Sequence, residues 1–169
     1  MKVAAVVIAV VAAAFAPVAA AAPTCNNAAN AATLQALQIS NRVKQRTVQG
    51  GRPLVQMIKI KNTASTTATG IQLGSGPISP DLTYKTAKGG HLTWTVDPQG
   101  PYIASSLANI PAKKTLKVSI TYTAAQCPTQ ANPHDVSLGV QIPADGNFNC
   151  FLSIQPRPQF TIKKGKKCV

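Results

Sequence analysis

The segment KTLKVSITYT, residues 114–123, constrains this chain more than any other. Leu116, Val118, Ile120 and Tyr122 fall on one side of an extended backbone, and Lys117, Ser119, Thr121 and Thr123 fall on the other. Successive side chains of a strand point to opposite faces, so an alternation of this length fits a strand with one buried face and one wet face. Such a strand needs neighbours to pair with and a second layer to cover its apolar side.

The rest of the chain supplies candidates for both. Short apolar runs at 34–39, 54–61, 69–73, 82–86, 92–96 and 136–142, with one or two more inside 149–162, are separated by Gly, Pro and Asn. Seven to nine short strands with turn signals at this spacing predict an all-β sandwich. Helix signals are nearly absent. The alanines of NNAANAATLQALQIS allow one short helical turn, while its Asn and Thr argue equally for an extended lead-in.

Local irregularities carry their own expectations. In 54–61, Ile58 and Ile60 share one face and Val55 and Met57 the other, which predicts a bulge or burial on both sides. Residues 41–53 read as a loop that turns at Gly50 and Gly51. Pro156 and Pro158 break the last run and predict an edge. Trp94 is expected to anchor the core and His91 to lie on the surface. Asn62 is followed by Thr63 and Ala64, so it is no N-glycosylation sequon; TASTTATG reads as the connection between two strands, with Asn62 forming the turn and Gly70 easing re-entry.

The first 22 residues have the anatomy of a secretory signal: Lys2, an apolar run over 3–15, then small residues. The run is short for a bilayer span. The expected organisation is a signal peptide at 1–22, a lead-in at 23–33, the sandwich at 34–162 and a basic tail at 163–169, in a protein that works outside the cytosol without a stable membrane span. Cys25, Cys127, Cys150 and Cys168 would remain after cleavage, an even number that predicts two disulfides. The expected pairs are Cys127 with Cys150, at neighbouring strand ends, and Cys25 with Cys168, tying the termini. Without C-x-x-C spacing, and with His91 and His134 as the only histidines, the cysteines do not read as a zinc site.

The charge is lopsided, with 17 Lys and Arg against 4 acids, all of them Asp. Loss of Lys2 with the leader would take the formal charge from +13 to +12. For a secreted protein this predicts attraction to an acidic polysaccharide or another anionic surface polymer. The candidate contacts are Lys59 and Lys61 on one strand face, Lys113, Lys114 and Lys117 at the start of another strand, and Lys163, Lys164, Lys166 and Lys167 in the tail. Arg42, Lys44 and Arg46 alternate in NRVKQR. The blander role for these residues is solubility and protection of strand edges. Specific nucleic-acid recognition is not expected, because no module signature or stacking aromatic set is present.

Catalytic signatures are absent. Asp81, Asp97 and Asp145 sit in turn contexts, His134–Asp135 is the one adjacent His–Asp pair, and there is no G-x-S-x-G elbow. The chain is expected not to be an enzyme and to need no metal or cofactor.

Taken in order, QGGRPLVQMIKIKNTASTTATGIQL, SPDLTY, GGHLTWTV and LANIPAKKTLKVSITYT resemble the Ig-like repeat modules of microbial surface and secreted proteins: the family described as domain of unknown function eleven, with its adhesion-module relatives. The likeness spans residues 34–142 and lies in the order of loose motifs. Lys113 and Lys114 stand where those modules carry Gly and an acid, and the cysteines and the C-terminal strands are additions. The resemblance implies an immunoglobulin-like β-sandwich without catalytic machinery, acting as a spacer, adhesion unit or wall-associated domain. The expected function is therefore a secreted, structural or adhesive module; the alternative is a basic effector acting on anionic membranes or another organism.

Overall fold

The computed structural model describes residues 22–25, 27–76, 79–97, 102–144 and 147–168. The expected signal segment lies outside these residues apart from Ala22, and so does Asp145. In chain order the elements are β1 (Thr24–Cys25), α1 (Ala28–Gln35), β2 (Leu37–Val43), β3 (Thr47–Gln49), β4 (Pro53–Asn62), β5 (Ala68–Ser75), β6 (Leu82–Lys88) and β7 (Trp94–Val96), followed by β8 (Ile103–Ser105), β9 (Ala108–Ile110), β10 (Thr115–Ala124), β11 (His134–Asp135), β12 (Gly139–Ala144), β13 (Asn147–Ser153) and β14 (Gln159–Lys163). Eight of these strands have five residues or more, within the expected seven to nine.

The alternating segment becomes β10 and lies at the middle of a four-stranded sheet of order β2-β4-β10-β6. Val118, Ile120 and Tyr122 are buried and Leu116 is half-buried, as the period predicts. They pack against a sheet of order β1-β13-β12-β5-β8-β7, with β9 added beside β5. Ile71, Leu73, Ile103, Val140 and Leu152 of that sheet join Leu54, Ile58 and Ile60 of β4 in one core. Burying each Ile or Leu this fully contributes about 1.5–3 kcal/mol. A small third sheet, β11-β14-β3, includes the parallel pair β14–β3. The result is an all-β sandwich of immunoglobulin-like type, stapled by two disulfides.

Several local expectations are corrected. β4 has no register shift in either of its ladders, and its buried row is Leu54, Gln56, Ile58, Ile60 and Asn62, with Val55 and Met57 half-buried on the far side. Gln56 belongs in that row because its polar groups are satisfied: Nε2 donates to Asn41 Oδ1 at 2.9 Å and to the Ser137 carbonyl at 3.1 Å, and Oε1 accepts from the Tyr122 hydroxyl at 2.9 Å. Burial, helped by the nearby Tyr84, pushes the Tyr122 phenol up to about 12 against the opposing effect of its hydrogen bond with Ser75. The first strand begins at Leu37 rather than Leu34 and runs through Asn41 and Arg42 to Val43, residues that read as loop. Trp94 packs half-buried against the core from the outermost strand, β7, while His91 is exposed as expected.

The lead-in resolves as α1. Asn27 caps it by accepting from the backbone N–H of Ala29 at 2.8 Å and of Asn30 at 3.3 Å. Eight residues are too few for a stable isolated helix; Leu34, fully buried, ties this one to the core.

The cysteines pair as Cys25–Cys150 and Cys127–Cys168, not as expected. β1 adds to the edge of β13 with Cys25 directly across from Cys150. At the other end Gly165 donates to the Gln126 carbonyl, which draws the last residues alongside 125–127 and brings Cys168 to Cys127, with Cα atoms 5.1 Å apart. The basic segment after β14 is therefore pinned along its length. No helix among the described residues is long and apolar enough to cross a membrane.

Candidate functional site

The alternation that buries one side of β4 and β10 projects the intervening residues from the other. The ladders align these in rows across the four-stranded sheet. Gln38, Lys61 and Thr115 form one row, and Ser40, Lys59 and Lys117 the next. Arg42, Met57, Ser119 and Lys88 form a third, followed by Val55, Thr121 and Thr86. Five cations thus share one face, set among hydroxyls and amides. No acid occupies any of these positions. Rows on one face repeat about every 7 Å along a strand and neighbouring strands lie about 4.8 Å apart, so the charges are distributed over an extended surface rather than a point. The lysines, Arg42, Ser40 and Gln38 are exposed.

Gly89 sets one border of this face. Its φ is +110°, and an added Cβ would run into the Lys117 carbonyl, so only glycine lets the chain leave β6 this close to β10.

Of the sequence-predicted residues, Lys59, Lys61 and Lys117 are brought together. Lys113 and Lys114 border them at the Lys61 end, where Lys114 carbonyl accepts from Asn62 N–H and Lys113 Nζ donates to the Thr63 carbonyl at 2.5 Å. Lys163, Lys164, Lys166 and Lys167 are exposed but stand at the opposite end of the sheet, beside Gly50, Ala125 and Gln126. Eight residue-to-residue steps along β4 lead from Pro53 to Lys61, roughly 26 Å. Arg42 and Lys88 complete the face, and sequence reading missed that role for both. Arg42 continues the Gln38, Ser40 alternation, which the loop reading cut short, and Lys88 continues a strand that had been ended at Thr86.

A second polar cluster has a different character. Asp81, which reads as a turn former, is 2% exposed. One carboxylate oxygen accepts from Thr129 N–H at 2.7 Å and Thr129 Oγ1 at 2.9 Å, and the other accepts from Gln130 N–H at 2.8 Å. Burial works to raise its pKa; the hydrogen bonds from Thr129 and Gln130, helped by His134, outweigh it and hold the carboxyl below the usual range. His134 Nδ1 lies 3.9 Å from Asp81 Oδ2 and 3.4 Å from Ser79 Oγ, and its ring stacks on Phe160 at 5.7 Å. A serine triad needs the carboxylate and the hydroxyl on opposite ring nitrogens. Here both crowd Nδ1, while buried Nε2 has no hydrogen-bond partner. The geometry is that of a clamp on the 129–130 loop. No group of three or more metal-ligating side chains occurs among the described residues.

No protein-family model matches the chain, and no curated protein matches it in sequence. Solved structures do. A 35 kDa C-terminal fragment of GBS80, the major pilin of Streptococcus agalactiae, is similar with a TM-score of 0.54 and 12% identity over 76% of this chain and 56% of that one. A variant of BcpA, the major pilin subunit of Bacillus cereus, is similar with a TM-score of 0.51 and 7% identity over 76% of this chain and 40% of that one. The chain spans about half the length of the pilin structures it matches. At these identities the likeness is one of fold.

Proposed function

We propose that this protein is a secreted β-sandwich module with a structural or adhesive role at a cell surface or wall, held to acidic polymers by the outer face of its four-stranded sheet. The observation that carries this is the set of rows containing Arg42, Lys59, Lys61, Lys88 and Lys117 with no acid among them. An extended cationic surface with interspersed hydroxyls suits a long, repeating polyanion better than a compact ligand. The pilin-like fold supports a structural role at a surface, and the two disulfides suit an oxidising compartment.

The test is salt-dependent retention on an immobilised acidic polysaccharide. Replacing Lys59, Lys61 and Lys117 together with Ala is expected to lower the eluting salt concentration clearly more than replacing Lys163, Lys164, Lys166 and Lys167 with Ala. Equal retention of the face variant and the parent protein would sink the assignment. Leakage from anionic vesicles at low protein concentration would favour a membrane-acting effector instead.

A further inference from the structure

Where β2 ends, the chain turns past Arg46 toward β3 and passes the connection between β13 and β14. An open cleft of about 960 Å³ lies between these segments. Arg42, Arg46 and Arg157 line it, with Asp135 as its one acid. Asp135 engages Arg157 at 3.7 Å, both side chains remaining more than a third exposed. Arg42 and Arg46 are exposed. The cleft therefore has a net positive charge held on guanidinium groups, whose planar forks fit an oxyanion in a bidentate manner that lysine cannot reproduce.

The other walls are chemically distinct. Val43, Pro156 and Pro158 contribute apolar surface, and Gln155 and Gln159 contribute neutral amides. The walls are held in place by the fold: Thr161 N–H donates to the Arg46 carbonyl at 2.9 Å, Lys44 N–H donates to the Val55 carbonyl at 2.8 Å, and Asp135 lies across from Gln159 in the β11–β14 ladder. Guanidiniums for an oxyanion, amides for hydroxyls and an apolar flank for ring C–H groups together match one acidic sugar unit. Arg42 belongs to both sites, because it lines the cleft and ends a row of the cationic face.

Resting on the polyanion-binding reading above, we propose that this arginine cleft is a recognition subsite for a single oxyanion-bearing sugar of the polymer, while the lysine face holds the rest of the chain by distributed charge. The cleft supplies selectivity and the face supplies retention.

The experiment titrates the protein with trisaccharides too short to cover the sheet: one bearing a carboxylate, one bearing a sulfate and one neutral. At least one acidic trisaccharide is expected to bind and the neutral one not to bind; the tighter of the two acidic ones identifies the oxyanion. Arg46→Ala and Arg157→Ala are each expected to weaken that binding about tenfold or more. Arg46→Lys, which keeps the charge and removes the fork, should also weaken it. Lys59→Ala with Lys117→Ala should weaken trisaccharide binding far less than either Arg46→Ala or Arg157→Ala, because Lys59 acts on the cleft only through charge beside Arg42, and should reduce retention of the long polymer. If no acidic trisaccharide binds, or the arginine variants bind it as well as the parent, the cleft proposal is overturned even when polymer binding through Lys59 and Lys117 stands. If trisaccharide binding depends on the arginines but polymer binding is indifferent to Lys59 and Lys117, the cleft proposal holds and the face loses its role. Thermal unfolding of each variant checks that it is folded.

Discussion

Lys59 and Lys117 stand directly across from each other in the β4–β10 ladder, one like charge facing another. Their neighbours Ile58 and Val118 also face each other, on the buried side. Like charges in directly opposed positions oppose strand pairing by about 0.2–1 kcal/mol, whereas each buried aliphatic contributes more than that. The sheet can thus hold a repulsive pair on its wet face because the dry face sets the register.

The pair makes the first prediction. Lys117→Thr should raise stability by a few tenths to about 1 kcal/mol, with the gain largest at low ionic strength. Urea unfolding at two salt concentrations reads this directly. A variant no more stable than the parent at low salt would mean that the two ammonium groups do not oppose each other.

Asn62 gives the second. Its side chain is fully buried; Nδ2 donates to the Thr66 and Ile110 carbonyls at 2.8 and 2.9 Å, and Oδ1 accepts from Ala64 N–H at 2.9 Å. Asn62→Ala leaves the buried Ile110 carbonyl and the part-buried Thr66 carbonyl without this donor and is expected to destabilise the protein by about 2–4 kcal/mol. Asn62→Asp should do at least as much damage at neutral pH, because a carboxylate would face those same carbonyls. Chemical denaturation of both variants tests this, and a loss below 1 kcal/mol (roughly one ordinary hydrogen bond) would contradict it.

Asp81 gives the third. Its folded pKa is depressed, so its contribution is fully present above the unfolded value of about 4 and is lost as pH falls through the folded value. Stability should therefore drop with acidification below about pH 4, and Asp81→Asn should lower neutral-pH stability while flattening that part of the profile. An unchanged acid limb in Asp81→Asn would assign it to other carboxylates.

The disulfides give the fourth. The sequence separations they close are 125 for Cys25–Cys150 and 41 for Cys127–Cys168. By loop-closure entropy these correspond to about 5 and about 4 kcal/mol. Cys25→Ser with Cys150→Ser should lower Tm somewhat more than Cys127→Ser with Cys168→Ser, and the first should also loosen α1, visible as faster amide exchange at Leu34. The reverse order would show that native-state contacts near the termini outweigh chain entropy.

Much of the candidate site was legible one strand at a time. Lys59, Lys61 and Lys117 are visible as wet-face residues because alternation is a property of neighbours in the chain. Arg42 and Lys88 were not, since each sits at a strand end where polar composition resembles a loop and only pairing with Met57 and Ser119 extends the strand. Asp81 looked like one more turn residue, because its partners Thr129 and Gln130 lie far along the chain.

The amino-acid sequence by itself determined the class of fold. Alternation in 114–123, apolar runs of strand length and turn residues between them are local signals, and the hydrophobic effect reads them locally: each strand must bury one side. It also determined that the wet sides would be cationic, because there are so few acids to place there. Only the tertiary structure decided which strands lie side by side, and so which lysines share a face, which arginines line a cleft and which cysteines meet. Those outcomes depend on register between segments distant in sequence. Register is set by the packing of two whole sheets: Cys25 reaches Cys150 rather than Cys168 because β1 finds the open edge of β13.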